Sequence, residues 1–172
     1  MELILRDEKI EDANAVTLLL QAAFADHPHS QNQEFRLVNA LRDANALSLA
    51  LVVQKNEVLF GAVHASDVQI VAAGQTLPGR FCCIAPLAVR PEQQRQGIGA
   101  QLMVAALLRL REQGYSACVL VGDAAYYNRF GFYQQAGLSS PSIPDEYVLV
   151  LNWQAAPVVG EIHYHPAFAE LE

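Results

Sequence analysis

The sequence predicts an α/β fold: a central mixed β-sheet flanked by helices. Three observations predict it. Apolar stretches of strand length alternate with stretches whose apolar residues recur at helical spacing. One of the strands, at 80–89, runs through a short glycine-bearing turn into the longest apolar helix of the chain, at 97–113. Apolar residues make up 52% of the 172, enough for one packed core.

Residues 2–7 alternate enough for an edge or entry strand. Ile10, Ala13, Val16, Thr17, Leu20 and Phe24 then recur at helical spacing, with Glu11 and Asp12 where a helix N-terminus favours negative charge. Asp26-His27-Pro28-His29-Ser30 breaks that helix, and a second is expected at 31–43, with Phe35, Val38 and Leu41 on one face. Strands follow at 47–54 and 57–71, joined by a tight turn at Lys55-Asn56. Residues 73–79 read as a surface loop and 80–89 as the central strand. Helix 97–113 is apolar nearly all round from Ala100 to Leu108, the pattern of a helix sandwiched in a core. A short strand at 117–121 leads to Asp123, a good N-cap for a helix at 124–130 that Gly131 ends. Residues 132–135 and 146–153 are the last two main strands, and 160–165 adds a peripheral one. No repeat, linker or low-complexity segment interrupts the chain, so 1–172 reads as a single domain, with a core at about 3–153 and a C-terminal strand extension at 154–172.

Charge and composition narrow the function. A net charge of −7 argues against nucleic acid, whose phosphates are held by Lys and Arg, and suits a cationic partner such as an amine. The apolar run in the first seven residues is too short for a signal peptide, and the longest apolar run, at 100–108, is far too short to span a bilayer. The expectation is a cytoplasmic protein with no membrane partner. Cys82, Cys83 and Cys118 have no metal-ligand spacing; Cys82 and Cys83, as strand neighbours, point to opposite faces. His27 with His29, and Glu161 with His163 and His165, lack a fourth ligand, so no metal is expected.

The most informative segment is 86–99. Gln94-Arg95-Gln96-Gly97-Ile98-Gly99 sets a row of free backbone N–H groups at a helix N-terminus, an anion site. There is no Gly-Lys-Ser/Thr for a P-loop and no Gly-x-Gly-x-x-Gly for a dinucleotide fold. Pro86 cannot donate to a ladder, so strand pairing should be disturbed there.

Gln94-x-x-Gly97-x-Gly99, following a strand that ends Leu87-Ala88-Val89-Arg90-Pro91, resembles the acetyl-CoA signature of the GNAT superfamily of N-acetyltransferases. Tyr127-Asn128-Arg129-Phe130-Gly131-Phe132 resembles that family's Tyr-x-x-x-Gly-Phe segment, and the element order matches over about residues 3–153. Residues 122–132, Glu34 with Leu37-Val38 and Leu41-Arg42, and the C-terminal 160–168 are similar to a bacterial branch of small predicted N-acetyltransferases.

The resemblance implies the GNAT fold and acetyl-CoA as co-substrate, with acetyl passing to a primary amine of a small molecule or peptide by direct attack in a ternary complex. It implies that backbone N–H groups of Gln94, Arg95, Gln96, Gly97, Ile98 and Gly99 hold the pyrophosphate, and that Leu87, Ala88 and Val89 pair with the pantetheine arm. The Leu87 N–H would polarise the thioester carbonyl. Tyr127 matches the family's general acid, with Tyr126 its rival should the short helix take another register, and Asn128 is a further cofactor contact. Two positions depart from the family: Leu120 stands where many members carry Asn, and 81–89 hold no carboxylate where several members carry a basic Glu. A base is therefore sought among Asp26, His27, His29, Glu34, His64 and Asp67. The alternative is a catalytically weak CoA-binding regulatory or interaction module of the same fold. The C-terminal strands offer a route to a homodimer.

Overall fold

The computed structural model describes residues 2–28 and 30–172. Their strands are β1 (Ile4–Asp7), β2 (Leu47–Lys55), β3 (Val58–Ala72), β4 (Gln75–Thr76), β5 (Phe81–Val89), β6 (Ala117–Val121), β7 (Tyr133–Gln134), β8 (Leu138–Ser139), β9 (Val148–Asn152) and β10 (Gly160–His163). The helices are α1 (Ala13–Phe24), α2 (Glu34–Asp43), α3 (Ile98–Glu112) and α4 (Ala124–Tyr127). The main sheet runs β1-β2-β3-β5-β6-β9-β7, antiparallel throughout except for the β5–β6 pair. β10 pairs with the far end of β3 and, in parallel, with β8.

The sheet has a core on each face. Leu102, Met103, Ala106 and Leu110 of α3 pack on Leu51, Val63, Cys82, Ile84 and Cys118. On the opposite face α1 and α2 cover Val52, Ala62 and Ala88, while Phe81, Val119 and Val150 lie beneath Val158 and Ile162 of the C-terminal segment. Leu102 is fully buried, so truncation to Ala would cost about 2–5 kcal/mol. The last turn, Pro166–Leu171, rests on α2, so residues beyond 153 help cover that face. No helix among the described residues is long and apolar enough to cross a membrane.

Four sequence expectations are corrected. Helix α2 begins at Glu34 rather than at 31, because Asn32 takes a left-handed φ of 60° and its N–H bonds to Ser30 Oγ, which stops the helix from extending backwards. The β2–β3 turn falls one residue later, at Asn56-Glu57. Both are left-handed, as a two-residue hairpin loop requires, and Lys55 and Val58 close it. The loop at 73–79 contains β4, folded back on β3 around left-handed Ala73 and Gly74. Finally, α3 is not sandwiched. Val104 and Leu108 are 50% and 60% exposed, since only its sheet-facing side has a partner.

Candidate active site

The site begins where two parallel strands part. β5 and β6 pair over Phe81–Ala117, Cys82–Cys118 and Cys83–Val119 and no further. Beyond that point β6 stays with β9 and β5 stays with β3, leaving a fork. At its foot the Sγ atoms of Cys82 and Cys118 lie 3.2 Å apart, both buried free thiols. The β5 ladder is also irregular. Between the pairs Val63–Leu87 and Ala65–Ile84, both Ala85 and Pro86 oppose the single residue His64. The bulge sits where Pro86 lacks an N–H.

Past the bulge the direction of each backbone group can be worked out. The Arg90 N–H bonds to the Phe60 carbonyl at 2.8 Å, so Arg90 faces β3. Backbone groups alternate sides along a strand, so Ala88 also faces β3, while Leu87 and Val89 present theirs to the fork. The Val89 carbonyl accepts the Gln94 side-chain amide there, at 3.1 Å.

The 94–99 segment caps the fork. Arg95 and Gly97 are both left-handed, with φ of 65° and 84°, and Gly97 is the N-cap of α3. A Cβ on Gly97 would meet nothing within 4 Å, so its backbone angle, not crowding, calls for glycine. The first helical N–H to reach a carbonyl is that of Gln101, bonded to Gly97 O at 3.0 Å. The N–H groups of Ile98, Gly99 and Ala100 are therefore free of intrahelical partners. A Cβ on Gly99 would lie 3.5 Å from the Tyr126 hydroxyl and 3.6 Å from Val89, so α3, β5 and α4 converge at this point.

Helix α4 follows β6 directly. Asp123 caps it by accepting the Ala125 N–H at 2.9 Å. The Tyr127 ring fills the space a side chain on Gly122 would need: a Cβ there would come within 2.5 Å of Cε2. Phe132 and Tyr126 pack edge-on against it, with centroids 6.1 and 4.9 Å away. Its hydroxyl has no hydrogen-bond partner among the described residues. Burial, reinforced by Tyr126, pushes the phenol up to about 12. Tyr126 is held separately: Arg129 stacks 4.5 Å from its ring and donates to its carbonyl. Asn128 is exposed, as is Arg95. Leu120 is buried in the α3-side core and offers no polar group.

The base candidates scatter. Asp67 accepts from Ser48 and Tyr115, next to the C-terminus of α3. That helix has 15 residues, so Asp67 lies about 22 Å from its N-terminal end. Glu34 is occupied by the Ser30 hydroxyl at 2.6 Å. Asp26 is exposed beyond α1, and the His27 ring packs 5.7 Å from Phe24. His29 lies outside the described residues. His64 is fully buried, and its Nε2 lies 2.9 Å from Glu8 Oε1. Arg42 Nη2 donates to both oxygens of Glu8, at 3.1 and 3.0 Å. Burial works against ionisation of Glu8, but the bonds from His64 and Arg42 outweigh it and hold the carboxyl below its ordinary range. Glu8 was not anticipated from the sequence. His163 pairs with Glu161 at 3.0 Å, whereas His165 lies past the end of β10 and accepts the Ala167 N–H, so the three do not converge.

Residues 5–135 match the acetyltransferase (GNAT) domain family. The chain belongs to that family. This GNAT chain is 36% identical over 131 residues to an uncharacterized N-acetyltransferase, YhbS, of Escherichia coli strain K12, covering 76% of this chain and 73% of that one. Its fold is similar to a GNAT acetyltransferase from Brucella melitensis solved in complex with acetyl-CoA: TM-score 0.84, 33% identity, 97% of this chain and 98% of that one. It is also similar to E. coli YhbS solved in complex with CoA: TM-score 0.85, 32% identity, 98% of this chain and 93% of that one.

Proposed function

We propose that this GNAT chain is an acetyl-CoA-dependent N-acetyltransferase that moves acetyl to a primary amine of a small molecule or peptide by direct attack in a ternary complex. The observation that carries it is the fork. It combines backbone at Leu87 and Val89 that no neighbouring strand pairs, with free N–H groups at the start of α3, joined at Gly99. These groups suit an amide-rich arm ending in a diphosphate, and the two similar structures bound to acetyl-CoA and CoA support the same reading. The N–H groups from Gln94 to Gly99 would hold the diphosphate, with Leu87, Ala88 and Val89 along the pantetheine arm. Acetyl-CoA supplies the activated acetyl group as a thioester.

The Leu87 N–H, aimed into the fork, polarises the carbonyl it meets there. Tyr127 hands a proton to the departing sulphur. At about 12 the phenol stays protonated until a thiolate is beside it, and a thiolate in the same apolar pocket is raised by the same loss of water. Tyr126 is less suited to this role, because Arg129 pins its ring beside Gly99. Asn128 and Arg95 are exposed enough to touch the outer part of the cofactor.

The absence of a carboxylate on β5 favours a second reading, a CoA-binding module without turnover. Calorimetric titration with acetyl-CoA, followed by CoA release with spermidine, tobramycin and a lysine-containing peptide, separates the two. Binding with release supports the enzyme, binding without release supports the module, and no binding overturns both.

A further inference from the structure

The acceptor amine poses a problem that the fork does not solve. An alkylammonium with a pKa of about 10.4 must lose a proton before it can attack, and β5 offers no carboxylate to take it. We propose that His64 Nδ1 is that proton acceptor, held ready by Glu8 and Arg42; this rests on the acetyltransferase reading above.

Three observations carry it. First, register puts His64 at the reacting point. It stands opposite the Ala85-Pro86 bulge, one rung from the Val63–Leu87 pair, and adjacent strands are about 4.8 Å apart. Second, the face is right. Val63 and Ala65 point to α3, so His64 points to the other face, where Glu8 and Arg42 meet it. Third, the buried side-chain polar atoms that lack a partner among the described residues are Gln33 Oε1, Arg42 Nε, His64 Nδ1 and Ser66 Oγ. Two of them, on Arg42 and His64, belong to the side chains that meet at Glu8. Buried polar atoms are almost always bonded, so the unpartnered Nδ1 of a ring otherwise fixed by Glu8 is a group open to a polar ligand.

The chemistry of the ring fits. Glu8, held ionised, can only accept, so His64 Nε2 donates in that bond and Nδ1 is the ring nitrogen left to take up a proton. The ammonium gives one proton to Nδ1, and the imidazolium formed is stabilised by the Glu8 carboxylate. The amine lone pair then forms the C–N bond, while the C–S bond breaks with its electrons going to sulphur. The nitrogen sheds a second proton as the amide forms. That proton passes to the Tyr127 phenolate left when the phenol protonates sulphur, and the His64 proton leaves to solvent with the product. The charged groups facing the ring are Glu8, from the segment after β1, and Arg42, from α2.

His64→Gln tests this, since its amide still reaches Glu8 but takes up no proton. With spermidine at pH 7 we expect kcat to fall about 100-fold, with the acetyl-CoA Kd unchanged. The deficit should shrink to a few-fold near pH 10, where the free amine forms in solution. A deficit constant across pH, or no deficit, overturns the proposal and leaves the acetyltransferase reading standing. A wild-type protein that releases no CoA with any amine overturns both. A second measurement needs no variant: long-range ¹⁵N–¹H correlation on the unliganded wild type should show His64 as the Nε2–H tautomer. An Nδ1–H tautomer overturns the assignment.

Discussion

The two faces of the sheet solve the problem of holding charge in different ways. On the α3 side the anion site is made of backbone: unpaired N–H groups at 98–100, two left-handed residues and a fork between strands. On the α1–α2 side charge is held by side chains: half-buried Glu8 from the segment after β1, half-buried Arg42 from α2 and buried His64 from β3. Backbone devices depend on the path of the chain and tolerate most side-chain changes. Side-chain devices depend on each member, because removing one leaves the others buried and unpaired.

Substitutions on each side test that contrast. The largest effect belongs to the side-chain cluster. Glu8→Ala takes the carboxylate from half-buried Arg42 and buried His64 and should lower unfolding free energy by about 3 kcal/mol in a urea titration. A loss below about 1 kcal/mol would show that water reaches the cluster. The cluster also sets acid stability. Because the folded state holds Glu8 below its ordinary value of 4.5, its contribution is complete above that value and lost as pH falls through the folded one. Wild-type stability should therefore decline below about pH 4.5, and Glu8→Ala should flatten that part of the curve.

Next is Tyr127→Phe, which keeps the ring packing on Phe132 and removes only the hydroxyl. We expect kcat to drop about 100-fold with the acetyl-CoA Kd unchanged; unaltered turnover would remove Tyr127 as the acid and turn attention to Tyr126. On the backbone side, Gly99→Ala should fold normally, since its Cβ would sit at ordinary contact distance from Tyr126 and Val89. It would still project into the mouth of the fork and weaken acetyl-CoA binding about tenfold, a loss of about 1.4 kcal/mol by calorimetry. Wild-type affinity would mean that the diphosphate lies elsewhere. The smallest effect is expected at Val104→Ser, on the solvent side of α3, within about 0.5 kcal/mol in thermal unfolding.

The same contrast explains what could be read in advance. Helix α3, its glycine entry and the strand before it announce themselves locally, by periodicity and by a signature within six residues, 94–99. The capped turn from Asp123 to Gly131 is local too. The error about α3 came from composition: apolar Val104 and Leu108 suggested a second packing layer, and only tertiary structure shows that none covers them. The acid–base cluster was illegible for a different reason. Glu8 meets Arg42 across 34 positions and His64 across 56, and no periodicity links them. His64 stood among six candidates because its residue type is versatile. Burial, register and the bond to Glu8 set it apart from the rest.

The foot of the fork has a consequence in time rather than in space. The hydrogen bond between Cys82 and Cys118, with burial added, pushes the Cys82 thiol well above its usual range, so it is inert while α3 covers it. Both thiols lie under α3, so labelling by a thiol reagent must wait for that helix to lift from the sheet. The labelling rate thus counts how often α3 leaves the sheet. A ligand that ties the start of α3 to β5 would slow that count, and one held by β5 alone would leave it unchanged.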